Sequence, residues 1–157
     1  MNNASNIFYF DSSAIVKRYV TEIGSNWVIN LCNLPANTIA TVQVTKVEAA
    51  AAFSSKYRSG GWSQVDYVAT LQDLSYDFLH QYSLIDIDQT LIDLAVNLTQ
   101  RHKLRGYDAI QLAAALTLNS ILEQNQSSPV TFVAADADLL QAAQNENLLI
   151  ENPNLQM

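Results

Sequence analysis

The strongest constraint on the fold is a short apolar segment that ends abruptly at an acid. Residues 7–10 are Ile-Phe-Tyr-Phe, Asp11 follows, and two serines then open a helical pattern that continues to Tyr19. A run without polar residues predicts a strand covered on both faces. In open parallel sheets ligands bind just beyond the carboxyl ends of the strands, so Asp11 is predicted to face a functional edge. A plain helix N-cap is the alternative interpretation of Asp11.

Strands alternate with helices along the rest of the chain. Further strands are predicted at 38–41, 84–87, 130–135 and 148–150, with helical periodicity between them. This alternation predicts one α/β domain, residues 5–153, with three α/β/α layers around a central, mainly parallel sheet. Within it, the apolar spacing of 62–81 is typical of an amphipathic helix, and the acids on the polar sides of the helices are expected to be solvated. These are Asp66, Asp73, Asp77 and Asp93.

Charge and cysteine content exclude several classes of function. The formal net charge is −7, which argues against broad, sequence-blind affinity for nucleic acid because such affinity needs a basic surface. Cys32 is the only cysteine, so neither an internal disulfide nor a cysteine zinc site is expected. No apolar run is long enough to span a bilayer, and residues 1–6 lack the pattern of a signal peptide. We therefore expect a cytoplasmic protein without a membrane partner.

Four acids occupy apolar surroundings that do not suit a solvated charge. Asp11 and Asp136 end the two most apolar strands, Glu48 precedes four alanines in a helix, and Asp108 opens the most apolar helix. If the two strands are neighbours, both of their carboxylates emerge at one edge of the sheet. Each acid has an alternative interpretation: Asp108 and Asp136 as N-caps, and Glu48 as a residue on an exposed flank.

Convergence of these acids predicts a metal site. Two carboxylates about 4 Å apart repel by roughly 4 kcal/mol at an effective dielectric near 20. Such a cluster persists only if it is protonated, paired or metal-bound, and the eight Lys and Arg residues are too few near the acids to pair them all. Oxygen ligands without nearby Cys or His suit Mg²⁺ or Mn²⁺. Such ions activate water in phosphodiester hydrolysis, so all four acids are predicted to be catalytic.

Basic residues lie close to two of these acids. Arg101, Lys103 and Arg105 come just before Asp108, and Lys17 lies a turn beyond Asp11. They are predicted to form a phosphate-binding rim that holds a polyanion locally. The alternative is a solvated basic helix end, which the helix dipole favours.

Four segments together resemble the PIN-domain family across nearly the whole chain. They are residues 9–17 (YFDSSAIVK), 47–51 (VEAAA), 104–115 (LRGYDAIQLAAA) and 132–143 (FVAADADLLQAA). Their order matches the family, and the third motif is the most specific. The overall form is most similar to the VapC-type toxins of bacterial toxin–antitoxin pairs.

The resemblance implies a Mg²⁺- or Mn²⁺-dependent endoribonuclease in which Asp11, Glu48, Asp108 and Asp136 form the metal site. It also implies that Ser13 helps to shape this site, that the protein forms a homodimer, and that a small antitoxin protein inhibits it. The sequence departs from the family at Ala134, where a hydroxyl residue is common, and at Asn147, where glycine is common. Without that hydroxyl, Asp138 is an alternative, weaker candidate for the fourth acid.

The sequence is compatible with two other functions. A PIN-like binding module with weakened metal affinity is one, since Ala134 lacks the oxygen that orients a ligand. Phosphoryl transfer to a strand-end aspartate is the other. Such domains usually have a lysine near a later strand end, and residues 130–138 contain none.

Overall fold

The computed structural model describes residues 5–157 of the chain. Residues 1–4, which make up most of the segment assessed for a signal peptide, lie outside the described residues. Among the described helices, none combines the length and the apolar character needed to cross a membrane.

In the described part of the chain, five parallel strands form the central sheet. They are β1 (Asn6–Phe10), β2 (Asn37–Val42), β3 (Ser83–Ile85), β4 (Thr131–Val133) and β5 (Leu149–Glu151). Their spatial order is β3-β2-β1-β4-β5, and every adjacent pair is parallel. The predicted parallel sheet is confirmed, and the apolar segment that opens the chain is its central strand.

Within residues 5–157, seven α-helices cover the two faces of the sheet. They are α1 (Ser12–Tyr19), α2 (Ser25–Asn33), α3 (Gln43–Arg58), α4 (Gln64–His80), α5 (Gln89–Arg101), α6 (Gly106–Gln124) and α7 (Ala137–Asn145), followed by a 3-10 turn at Pro153–Leu155. Helices α5, α6 and α7 share one hydrophobic core with the sheet, and α1 to α4 share a second core on the opposite face. The three-layer α/β/α arrangement is therefore confirmed.

Strand β1 contributes to both cores, as expected from an unbroken apolar run. Tyr9 packs on the α5–α7 side, where its ring stacks on Phe132 with centroids 5.7 Å apart. Phe10 packs on the α1–α4 side. Successive side chains of a strand alternate between faces, so a strand covered on both sides needs apolar residues at every position.

The carboxyl ends of β1 and β4 lie side by side. Phe10 is paired with Val133, and the backbone N–H of Asp11 donates a hydrogen bond of 3.2 Å to the Val133 carbonyl. The strands that precede Asp11 and Asp136 are therefore neighbours, which was the condition for the two acids to lie at one edge of the sheet. Strand order reverses at β1, with β2 on one side and β4 on the other, and such switch points are where α/β sheets bind ligands.

Helix α4 departs from the sequence prediction. Leu74 and Phe78 pack in the core, but Val65 and Leu79 are exposed. Asp77, predicted to be solvated, is buried because Tyr19 donates a hydrogen bond of 2.6 Å to its Oδ2. A polar partner on α1 therefore decides which side of α4 is covered, and the apolar spacing alone did not reveal that partner.

Two turns show backbone geometry that the sequence makes possible. Asn147 has φ of +67°, which fits the tolerance of asparagine for the left-handed region. Gly24 has φ of +84°, and a Cβ atom there would lie 2.3 Å from the carbonyl oxygen of Pro153. The glycine therefore allows the C-terminal turn to pack against the start of α2.

Candidate active site

Asp11 is the N-cap of α1. Its Oδ1 accepts hydrogen bonds from Ser13 Oγ at 2.6 Å and from the Ala14 backbone N–H at 3.0 Å, and the residue is only 3% exposed. The capping interpretation is therefore confirmed. Both bonds use the same carboxylate oxygen, so capping leaves Oδ2 free to serve a second purpose.

Ser13 connects three parts of the site. Its Oγ donates to Asp11 and accepts a hydrogen bond of 2.8 Å from the backbone N–H of Ala135. Ala135 belongs to the loop between β4 and α7, which carries Asp136 at its end. One hydroxyl thus fixes the position of that loop relative to the end of β1, which is consistent with the predicted site-shaping role.

Glu48 lies on α3 and is held toward the end of β1. Its Oε2 accepts a hydrogen bond of 2.7 Å from Ser12 Oγ, and its Oε1 accepts one of 3.4 Å from Gln111 Nε2 on α6. The side chain is half-buried. Glu48 is therefore not a solvated flank residue, because two neighbouring helices supply donors to its carboxylate.

Gln111 joins three elements beneath the acids, and sequence reasoning missed it. Its Oε1 accepts a hydrogen bond of 2.7 Å from the Tyr9 hydroxyl, and its Nε2 donates to Thr45 Oγ1 at 2.9 Å as well as to Glu48. The side chain is buried. The signal was an amide three residues after Asp108 in an otherwise apolar helix, since a buried amide needs specific partners.

Asp108 and Asp136 occupy two helix starts. Asp108 lies in the first turn of α6, and burial, followed by the charge of Asp136, raises its pKa, while Arg105 lowers it. Asp136 is the N-cap of α7, where its Oδ1 accepts from the backbone N–H groups of Asp138 at 2.9 Å and Leu139 at 3.1 Å. The cap interpretation of Asp136 is confirmed, whereas Asp138 is exposed on the helix surface.

The four acids form one electrostatic group. Burial raises the pKa of Asp11 to about 7, the hydrogen bonds from Ser13 and Ala14 oppose that shift, and the charges of Glu48 and Asp108 increase it. Asp136 in turn acts on Asp108. Glu48 and Asp108 therefore destabilise the charged form of Asp11, and Asp136 destabilises that of Asp108, in line with the like-charge argument from the sequence.

The donors fit a hard divalent cation. Within residues 5–157 no three His, Cys, Asp or Glu side chains stand as a ready-made ligand set. Mg²⁺ usually takes one or two protein carboxylates and fills its other positions with water and substrate oxygens. Asp11 and Asp108 are carboxylates of this kind, and the charge of Asp108 acts on Asp11. No ion pair in the described part of the chain involves Asp11 or Glu48.

Two of the predicted basic residues are exposed in the segment that precedes Asp108, and a third is paired with a different acid. Lys103 and Arg105 are exposed, and Arg105 Nε lies 3.8 Å from Asp108 Oδ2. Arg101 instead pairs with Glu146 at 2.8 Å, which joins the end of α5 to the end of α7. The exposed part of the predicted rim is therefore the short segment between α5 and α6.

Lys17 is not exposed as a phosphate-binding rim requires. Its ammonium donates to the Ile23 carbonyl at 2.8 Å and to Glu22 at 3.3 Å, and the side chain is buried. The loop after α1 folds back over the lysine, which its spacing from Asp11 did not reveal. Lys17 lines a pocket of about 360 Å³ together with Ser12, Ser13 and Glu48. An RNA phosphate would have to displace Glu22 to bind this ammonium.

These features define the class. A parallel sheet in the order 3-2-1-4-5, covered on both faces and carrying acids at the carboxyl edge around the central strand, is the three-layer PIN-like fold.

Comparison with known proteins confirms the predicted resemblance to VapC-type proteins. The chain is 29% identical over 112 residues to Ribonuclease VapC45 and to Ribonuclease VapC49, both from Mycobacterium tuberculosis. Each match covers 71% of this chain and 76% of the relative. No family model matches the chain.

Two solved structures share the fold. VapBC2 from Rickettsia felis, crystallised with a DNA fragment from its promoter, superposes with a TM-score of 0.57 at 17% identity, covering 93% of this chain and 98% of that one. FitAcB from Neisseria gonorrhoeae superposes with a TM-score of 0.61 at 12% identity, covering 94% and 97%. At these identities the likeness concerns the fold.

Proposed function

We propose that this protein is an endoribonuclease that depends on Mg²⁺ or Mn²⁺ and acts as the toxin of a toxin–antitoxin pair. One observation carries the proposal. Asp11 is buried at the end of the central strand beside the charges of Glu48 and Asp108, and no ion pair in residues 5–157 compensates it. A buried acid among like charges is typical of a catalytic or metal-binding site.

The chain's own residues prepare the site in three ways. Ser13 and the Ala14 N–H hold Asp11 in one orientation, and Ser12 and Gln111 hold Glu48. Asp11 and Asp108 would hold the cation, with Glu48 and Asp136 completing the set. When bound, the ion would activate water and stabilise the leaving oxygen of a phosphodiester.

RNA is the proposed substrate because two relatives of this chain are named ribonucleases. Lys103 and Arg105 support the same proposal, since both are exposed in the segment before Asp108 and the Arg105 Nε lies 3.8 Å from the Asp108 carboxylate. They allow an acidic protein to hold a polyanion at one place, without a basic surface elsewhere.

A small antitoxin and a second copy of this chain are the proposed protein partners. The likeness to VapC proteins and to the VapBC2 and FitAcB structures supports them. Light scattering on the purified chain tests the dimer, and a monomeric mass would contradict it. Co-expression with any short reading frame adjacent to the gene tests the antitoxin, with a stable complex and loss of cleavage as the expected result.

RNA cleavage by matched variants tests the enzyme. We expect the wild type to cleave with Mg²⁺ or Mn²⁺, and Asp11→Asn and Asp108→Asn to lose activity by about a hundredfold or more, as typical for removal of a key electrostatic group. Asp93→Asn is the control because Asp93 is exposed on α5. Equal cleavage by all four proteins would contradict the proposal.

A PIN-like binding module with weak metal affinity is the second candidate. Ala134 favours it, because this position is fully buried and has no hydroxyl. Calorimetric titration with Mn²⁺ separates the two candidates, since no heat and no cleavage at millimolar metal would favour the module. An aspartyl-phosphate domain is disfavoured, because residues 130–138 contain no lysine and the Lys17 ammonium bonds Glu22 and the Ile23 carbonyl.

A further inference from the structure

We infer that Tyr107 is a stacking platform for a nucleobase of single-stranded RNA at the mouth of the acid site, with Arg105 holding the adjoining phosphate. This inference rests on the proposed ribonuclease function and names a substrate subsite for it. It is carried by the exposure of the ring, by the absence of an aromatic neighbour, and by its place on α6.

Tyr107 differs from the other tyrosines of the chain. Six of the seven place their ring against another aromatic ring, namely Tyr9, Tyr19, Tyr57, Tyr67, Tyr76 and Tyr82. Across residues 5–157, Tyr107 is the exception, and it is 58% exposed. Because more than half of this residue is exposed and no other ring of the described residues stacks on it, its aromatic face is available to a ligand.

The position of Tyr107 on α6 places it beside the acids. It directly precedes Asp108 and lies four residues before Gln111, and residues four apart share a helix face. Gln111 faces α3, where it donates to Thr45 and Glu48. Tyr107 therefore lies one turn nearer the start of α6 than the residue that bonds Glu48, at the outer end of the acid site.

Charge explains why stacking is needed at this place. The chain has a net charge of −7. Of the predicted cations, Lys17 and Arg101 bond other groups of the protein, which leaves Lys103 and Arg105 exposed in the segment before Asp108. Neutralised phosphates dominate nucleic-acid affinity when many cations are present. With so few, the contact must come largely from the bases, and every base presents a π-face to an exposed aromatic ring.

Arg105 supplies the polar half of the subsite. Its side chain is 89% exposed, and its Nε lies 3.8 Å from Asp108, which is too long for a strong hydrogen bond. The guanidinium is therefore free to pair with an RNA phosphate. Arg105 lies two residues before Tyr107 in the protein chain, so this phosphate would adjoin the stacked base. The acids would bind the phosphodiester that is cleaved, Tyr107 would stack on a base beside it, and Arg105 would bind the next phosphate.

The test is the binding of a short fluorescein-labelled single-stranded RNA, measured by anisotropy in EDTA so that no cleavage occurs. Removing one base-stacking ring weakens binding about tenfold or more. We expect this loss for Tyr107→Ala and near wild-type binding for Tyr107→Phe. Tyr76→Ala is the matched control, since Tyr76 is 59% exposed on α4, and it should bind RNA as well as the wild type does. Thermal unfolding should be unchanged in all three variants, because neither ring is buried.

An RNA with abasic riboses separates stacking from phosphate binding. Tyr107→Ala should bind it as well as the wild type does, whereas Arg105→Ala should bind both RNAs more weakly and with a smaller salt dependence. In Mg²⁺, Tyr107→Ala should raise KM more than it lowers kcat.

The results distinguish this inference from the proposed function. A wild type that cleaves RNA, together with a Tyr107→Ala variant of unchanged affinity and KM, would overturn the stacking site and leave the ribonuclease intact. A wild type that neither binds nor cleaves RNA would overturn both.

Discussion

Two buried aspartates, Asp11 and Asp77, have opposite surroundings. Asp77 accepts a hydrogen bond of 2.6 Å from the Tyr19 hydroxyl and lies 3.4 Å from the Arg18 guanidinium, which also bonds Tyr82. Asp11 has one hydroxyl and one backbone N–H as donors, and its charged neighbours are Glu48 and Asp108. Asp77 therefore has an opposite charge and a hydroxyl donor as neighbours, whereas like charges and burial penalise the charged form of Asp11.

The difference distinguishes an acid with a structural role, Asp77, from the acid that we propose to be functional, Asp11. Asp77 joins α4 to α1, and its charge is compensated within the fold. Asp11 keeps an uncompensated charge at the switch point of the sheet, which is costly unless a cation binds there. Burial alone does not distinguish these roles, and the sign of the neighbouring charges does.

The largest effect expected from the contrast between Asp11 and Asp77 is a pH dependence of the free energy of unfolding, measured without metal. The pKa of Asp11 is raised from 3.8 to about 7 in the folded protein. Between these values the folded state binds more protons, so stability is lost as pH rises. The loss is at most about 4 kcal/mol, from about three pKa units.

Urea unfolding in EDTA from pH 4 to pH 8 checks this prediction, comparing wild type with Asp11→Asn. The amide oxygen of asparagine can accept the same two bonds and cannot ionise, so the variant should be relatively more stable at high pH. A difference between the two proteins that stays constant with pH would mean that Asp11 ionises without penalty.

The opposite outcome is expected at the structural acid. Asp77→Asn removes the charge that compensates Arg18 and should lower the free energy of unfolding by about 3 kcal/mol, as for a broken, largely buried pair. Urea unfolding at pH 7 measures the loss. If Asp77→Asn and Asp11→Asn change stability in the same direction by similar amounts, the contrast between the two regions is wrong.

Gln111→Leu tests the network beneath the acids. It leaves the buried Tyr9 hydroxyl without its acceptor and removes one donor to Glu48. The expected cost is about 2 kcal/mol of stability, together with a several-fold loss of RNA cleavage. Gln124→Leu, at the exposed end of α6, is the control and should change neither quantity. Unchanged cleavage by a folded Gln111→Leu protein would show that Glu48 needs no support from α6.

The smallest expected effect concerns the fourth acid. Asp136→Asn keeps an oxygen for the α7 cap and should leave stability unchanged while lowering cleavage about tenfold, or about 1.4 kcal/mol of transition-state stabilisation. Asp138→Asn should retain full activity because Asp138 is exposed. The reverse pattern in a cleavage assay would assign the fourth position to Asp138.

The layers of the fold and the edge that carries the acids were predictable from sequence. Apolar runs at β1 and β4 predicted covered strands, and each ends near an acid. Their adjacency was a condition that the sequence could not settle, because register and strand order depend on all the helices packing together. The structure shows that β1 and β4 are adjacent, because they are paired in parallel.

The missed residues share a physical cause. Lys17 and Asp77 are charged side chains whose burial depends on partners brought in by other segments, the loop at Glu22–Ile23 and the Tyr19 hydroxyl. Gln111 is buried because Tyr9 and Thr45 complete its hydrogen bonds. Periodicity describes one helix at a time and contains no information about such partners.

Metal-linked stabilisation tests the central claim most directly, that acids from separate elements share one cation site. Thermal unfolding is measured with increasing Mn²⁺ on the wild type, Asp11→Asn, Asp108→Asn and the exposed control Asp93→Asn. We predict a saturable rise in melting temperature for the wild type and Asp93→Asn, and loss of that rise in the other two variants. No rise in the wild type, or an equal rise in all four proteins, would contradict the account.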